Sequence, residues 1–298
     1  MMKEAKREVK VAGIQMSMEV DNKEANVEKA VKLIDRAGRE GCKMVLLPEV
    51  FFMEYSVFDL CFPRDPAVYR YAEPIPGPTT NKLAEVSKEH GIYVLAPIYE
   101  KAGPGIYYNT TAVIAPSGEV IGKYRKTHIP ATLSLEKLYF RPGWEFPVWK
   151  TNYGKIGVVT CFDRRFPETV RIIALNGAEI VFCPNASSIP PQVAKAPVKR
   201  KRQKENWEFL AKCRAYENGV FFVYIGRWGT EQGIKFHGTS LIVNPYGEII
   251  AQAPAEGDMI LSATIDLEEV DRARIATPIF RDLRPELYGR LSKQPSEW

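Results

Sequence analysis

The sequence predicts an α/β protein built as a four-layer αββα sandwich. Short apolar runs rich in β-branched residues recur along the chain, helical patterns separate several of them, and segments of the first half return in the same order in the second. Alternating strand and helix is the mark of layered α/β folds, in which every sheet face must be covered.

The strand candidates are residues 9–16, 44–47, 93–98, 111–115, 156–160, 180–183, 220–225 and 240–243. Each is short and has the Val, Ile and aromatic content of a buried strand. Helical patterns fall at 26–40, 80–90, 167–176 and 204–218. Pro167 suits the first position of one of them, because its fixed φ is already helical. Residues 189–197 hold three prolines and read as a loop leading into the basic run 199–204. That run lacks the interleaved aromatics of a nucleic-acid groove, so a solvated first helical turn or part of a pocket rim is expected.

The repeat organises these elements. Residues 41–48 (GCKMVLLP) resemble 177–184 (GAEIVFCP), and 89–94 (EHGIYV) resemble 217–222 (ENGVFF). Residues 110–121 resemble 239–250 around a shared Pro-x-Gly-Glu turn, a hairpin in each half. Two sheets, each covered by helices on one side, bury their bare faces economically against one another. One domain over 1–298 is expected, with its core at about 9–270 and a tail, 271–298, free for contacts between copies.

Composition narrows the chemistry. Apolar residues make up 45%, and 41 basic against 36 acidic residues leave a formal charge of +5. So small an excess argues against a nucleic-acid binder. The charged first ten residues and the lack of a long apolar run predict neither secretory signal nor membrane span, hence a cytoplasmic protein. The five cysteines are never spaced CxxC, and the three histidines form no HxH or HExxH. No disulfide framework, metal site or cofactor is therefore expected, and chemistry must run on Cys, Lys, Glu, Asp or hydroxyl groups.

Cys161 ends the strand 155–160 and precedes the Pro167 helix start. A side chain on such a turn is lifted out of the sheet, and backbone N–H groups there can face an oxyanion. Its polar neighbours Asp163, Arg164 and Arg165 separate it from Cys42, Cys183 and Cys213, which lie within or beside core elements. A thiol near its free pKa of about 8.5 is mostly protonated at neutral pH and needs a base or a nearby positive charge. Glu49, wedged between Leu46-Leu47-Pro48 and Val50-Phe51-Phe52, is a candidate base, since desolvation raises a carboxyl pKa. Asn185 is its counterpart in the repeat and a candidate pocket residue. Tyr55 and His128 are candidates of the same kind. Lys126 belongs to a cationic cluster with Lys123 and Arg125.

Leu47-Pro48-Glu49, Tyr124-Arg125-Lys126 and Thr160-Cys161-Phe162-Asp163-Arg164-Arg165-Phe166-Pro167-Glu168 resemble the three catalytic motifs of the nitrilase (carbon–nitrogen hydrolase) superfamily, in the family's order. The resemblance runs from residue 9 to about 288. It implies an αββα fold that dimerises into eight layers, or forms higher homo-oligomers, and metal-free thiol chemistry. It implies Cys161 as nucleophile, Glu49 as base, Lys126 as oxyanion-side cation and Glu136 as a second active-site glutamate. The stretch from Cys161 to Thr169 is similar to N-carbamoyl amino acid amidohydrolases, and residues 136–143 and 280–288 to N-carbamoylputrescine amidases and β-ureidopropionases. An arginine fork near the nucleophile, at Arg164 or Arg165, suits a substrate carboxylate. An N-carbamoyl amino acid, including 3-ureidopropionate, is therefore expected. N-carbamoylputrescine, ω- or aliphatic amides and nitriles stay open as alternatives.

Overall fold

The computed structural model describes residues 7–131, 134–189 and 197–293. The first half supplies β1 (Glu8–Gln15), α1 (Lys23–Arg39), β2 (Met44–Leu46), α2 (Pro78–His90), β3 (Tyr93–Gly103), β4 (Ile106–Ile114) and β5 (Val120–Arg125). The second supplies β6 (Val148–Lys150), β7 (Lys155–Val158), α3 (Pro167–Leu175), β8 (Ile180–Asn185), β9 (Ser188–Ile189) and α4 (Pro197–Tyr216). It continues with β10 (Phe221–Gly226), β11 (Trp228–Glu231), β12 (Ile234–His237), β13 (Leu241–Val243), β14 (Ile249–Gln252), β15 (Met259–Asp266) and α5 (Glu268–Ala276).

Two six-stranded sheets result, ordered β15-β1-β2-β3-β4-β5 and β14-β13-β10-β8-β7-β6. In each, three parallel strands are followed by an antiparallel hairpin, and one antiparallel strand closes the other edge. The repeat read in the sequence is thus a repeat of topology. β1, β2, β3, β4 and β5 correspond to β7, β8, β10, β13 and β14. The closing strand comes from opposite places in the chain: β6 precedes its sheet and β15 follows both. A small third sheet, β11-β12-β9, packs Ile234 and Phe236 against the core of the first half.

Period-two alternation sorts the strand residues into separate cores. Val9 and Val11 of β1, with Leu46 and Leu95, join Val158, Phe182 and Val223 of the other sheet in one buried cluster between the sheets. Ala12 and Ile14, one residue over, pack instead against Val27, Ala30 and Ile34 of α1. On the far side, Val181 and Phe222 meet Val170 and Ile173 of α3 and Ala211 and Ala215 of α4. The layers are therefore helix, sheet, sheet, helix, as expected.

Local rules set the helix ends. Asn22 caps α1 by accepting from Ala25 N–H at 3.2 Å, so the helix starts three residues before the expected 26. Gly91, at φ +61°, ends α2 in the left-handed region that costs glycine least. The basic run 199–204 falls inside α4, which starts at Pro197. Of the expected loop at 189–197, residues 190–196 lie outside the described residues. Beyond α5 come two 3-10 turns with Leu287, Tyr288 and Leu291 exposed. Among the described residues no helix is long and apolar enough to cross a membrane.

Candidate active site

The carboxyl ends of three strands deliver the site. Glu49 follows β2, Lys126 follows β5 and Cys161 follows β7. Cys161 opens a 3-10 turn, Cys161–Arg165, that fills the gap before α3. Its φ is +46°, a left-handed conformation uncommon for a residue with a Cβ.

Lys126 and Glu49 are fully buried and Glu136 nearly so. Lys126 Nζ donates to Glu49 Oε1 at 2.8 Å and to Glu136 Oε2 at 2.6 Å. Burial alone would lower the lysine pKa, but the coulombic pull of Glu136 and Glu49 holds it well above the ordinary value. Lys126 is accordingly a fixed cation rather than a proton carrier. Glu49 Oε1 also accepts from the Tyr55 hydroxyl at 3.0 Å and from Asn109 Nδ2 at 2.8 Å. Its other oxygen, Oε2, is buried without a hydrogen-bond partner. One carboxylate oxygen is saturated and the other is left to accept a proton. Burial raises the Glu136 carboxyl, against the pull of Lys126.

Burial and the neighbouring Glu49 push the Cys161 thiol up to about 11, against the charges of Lys126 and Arg164. At neutral pH it rests as the thiol, so attack requires a base that removes its proton.

Cys161, Glu136, Tyr55 and Ser134 line a cavity of about 150 Å³. Phe58, Phe162, Trp207 and Phe236 make its apolar walls, and Asp59, Arg165 and Gln203 add polar groups. Glu49 and Lys126 lie behind this lining. Among the described residues, one group of His, Cys, Asp and Glu atoms is close enough to share an ion: Asp35, Glu89 and His90, none of which lines the cavity.

Arg164 and Arg165 both line the cavity. Their guanidinium groups meet different partners. Arg164 is 1% exposed, and its Nη1 donates to Cys161 O at 2.6 Å and Asn185 Oδ1 at 2.8 Å; Arg165 alone is exposed, its guanidinium 5.7 Å from the Phe162 ring centroid. Asn185 is buried behind the cavity wall, accepting from Arg164 and from the Ser187 hydroxyl, and so does not line the pocket. His128 also stands outside it, stacked on Phe166 at 3.8 Å, with Nδ1 3.0 Å from Asp163. For Arg164, Asn185 and His128 alike, a hydrogen-bond partner brought near by the fold claims the polar side chain. Tyr55 does line the cavity.

Sequence reasoning missed Asn109, Arg227 and Glu231. Arg227, fully buried, donates to the carbonyls of Glu49 at 2.7 Å, Val50 at 2.8 Å and Met53 at 3.0 Å, and to Glu231 Oε1 at 2.7 Å. Glu231 Oε2 accepts from the Tyr55 and Ser56 N–H groups. This pair from the second half thereby grips the loop that carries Glu49 and Tyr55. The signal was present: Arg227 follows an apolar strand as Glu49 does.

The carbon-nitrogen hydrolase family profile matches residues 10–275. The chain belongs to that family. It is 37% identical to a nitrilase of Pyrococcus abyssi over 287 residues, covering 95% of this chain and all of that one. It is 35% identical to an N-carbamoylputrescine amidase of Solanum lycopersicum, covering 96% of each. The structure of a carbon-nitrogen hydrolase from Helicobacter pylori superposes with a TM-score of 0.89 at 28% identity, covering 97% of this chain and 99% of that one. The protein is thus a nitrilase-superfamily hydrolase of carbon–nitrogen bonds other than peptide bonds.

Proposed function

We propose that the protein hydrolyses a linear amide or ureido bond through a thioester on Cys161, its substrate an N-carbamoyl amino acid such as 3-ureidopropionate. The observation that carries the chemistry is the buried clasp of Lys126 between Glu49 and Glu136, with one Glu49 oxygen unpartnered beside a thiol that cannot ionise unaided.

Glu49 takes the Cys161 proton and the sulfur attacks the carbonyl carbon. The developing oxyanion is met by the charge of Lys126 and by the Phe162 N–H. Glu49 returns the proton to the leaving nitrogen, and water then cleaves the thioester. Glu136 keeps Lys126 in place and charged.

With Arg164 engaged inward, Arg165 is the residue for a substrate carboxylate. Asp59, on the same cavity, supports a second reading in which an amine end is held, as N-carbamoylputrescine would require. The test is ammonia release from ureido acids, N-carbamoylputrescine, simple amides and nitriles. Ureido acids should turn over fastest. Arg165→Lys should cost them about tenfold to a hundredfold, because a hydrogen bond to a charged group is worth about 1.5–3 kcal/mol and lysine lacks the bidentate fork. Faster turnover of N-carbamoylputrescine or a neutral amide, with Arg165→Lys unaffected, would overturn the substrate assignment and leave the cysteine chemistry standing.

A further inference from the structure

Arg164 is a buried cation whose charge meets no carboxylate among the described residues. Its Nη1 is held by Cys161 O at 2.6 Å and Asn185 Oδ1 at 2.8 Å, its Nη2 lies 3.5 Å from Ser187 Oγ, and its Nε has no partner. The guanidinium carbon sits 5.2 Å from the Tyr224 ring centroid. Burying a charge against neutral acceptors alone is costly, so the site gains something by keeping it.

The gain is legible in the backbone. Cys161 holds a left-handed φ of +46°, and its carbonyl is the atom that Arg164 grips. A trans peptide points its C=O and its N–H in opposite directions. Fixing Cys161 O toward Arg164 and Asn185 therefore turns the Phe162 N–H the other way. Both Cys161 and Phe162 line the cavity. Ser187, whose hydroxyl donates to Asn185 Oδ1 at 2.9 Å and lies 3.8 Å from Cys161 Sγ, completes the brace.

We propose that Arg164 is a positioning residue: seated by Asn185 and Ser187, it holds the Cys161 carbonyl so that the nucleophile keeps its left-handed conformation and the Phe162 N–H faces the substrate oxygen. This rests on the reading of Cys161 as nucleophile. It also separates the two adjacent arginines by task, Arg164 serving the reaction and Arg165 the substrate.

The experiment compares steady-state kinetics of Arg164→Met, Arg164→Lys and Asn185→Ala, on a ureido acid and on a neutral amide that the wild type turns over. Alkylation of Cys161 by iodoacetamide is followed in parallel. Losing one oxyanion donor costs about 10²–10³ in rate, so Arg164→Met should lose on the order of a hundredfold in kcat with KM little changed, equally for both substrates. Arg164→Lys should recover part of that loss, since it can still donate to the carbonyl. Cys161 should still alkylate in Arg164→Met within a few fold, because that reaction develops no oxyanion.

Unchanged kcat in Arg164→Met, or a loss confined to the KM of the carboxylate substrate, would overturn the proposal. Should Arg164→Met not fold, Asn185→Ala carries the same comparison with a smaller expected loss of about tenfold, and full kcat there would overturn it equally. Activity persisting in Cys161→Ala would instead sink the nucleophile assignment, which keeps the two failures distinguishable.

Discussion

The ends of β2 and β8 occupy matching places in the two halves, and each is gripped by a buried arginine. At the end of β2, Arg227 holds the Glu49 and Val50 carbonyls and is itself neutralised by Glu231. At the end of β8, Arg164 holds Asn185 and the Cys161 carbonyl without a carboxylate partner. At the first strand end stands the carboxylate proposed as base, Glu49, beside an arginine already paired with Glu231. At the second, Asn185 accepts from an arginine whose charge stays uncompensated beside the thiol. The repeated scaffold supplies two matching strand ends, and they carry different polar residues, Glu49 in one half and Asn185 in the other.

The largest expected effect tests whether both ends serve one atom. Cys161→Ala should lower turnover by a factor on the order of 10⁴ or more while the thermal transition stays in place, and a quenched reaction of the wild type with a slow substrate should show an acyl adduct on Cys161 by mass spectrometry. Retained turnover would dissolve the shared centre.

Arg227→Met breaks the β2 grip and strands the Glu231 carboxylate in the interior. Removing one partner of a buried pair costs about 3–5 kcal/mol, so a denaturant midpoint well below that of the wild type is expected. The same swap at Arg164 strands no carboxylate and should cost less stability. Equal losses would erase the contrast between the two arginines.

Lys126→Met should reduce kcat by about 10²–10³ with KM little changed, since the fixed charge acts on the oxyanion and not on the ground state. Steady-state kinetics on the best substrate of the screen would settle it; near-normal turnover would remove Lys126 from the reaction.

The smallest effect concerns pH. With the Cys161 thiol pushed up to about 11, its thiolate fraction in the free enzyme goes on rising between pH 9 and 11, while an ordinary thiol approaches full ionisation. Iodoacetamide alkylation of Cys161, followed against pH, should climb through that window. Glu49→Gln removes a charge that raises the thiol, so its profile should move to lower pH. A wild-type midpoint near pH 8.5 would show that the environment of Cys161 is more polar than the burial implies.

The sequence by itself determined the layers, the repeat and the places where chemistry emerges. Those depend on local signals: apolar runs of strand length, Pro167 at a helix start, and Glu49 and Cys161 at the ends of buried strands. Asp163 and Arg164 show where such signals stop. Adjacent and of opposite charge, they invite pairing, yet Asp163 accepts from Tyr124, Thr127 and His128 while Arg164 turns to Cys161 and Asn185. Buried polar groups go to whichever acceptors and donors the fold brings within reach, and here those come from distant strands. Only the tertiary structure decided that Arg164 faces inward, that Asn185 and His128 stand outside the cavity, and that Arg227 reaches across from the other half. Hydrophobic periodicity is written along the chain, but the partner of a buried charge is chosen across it.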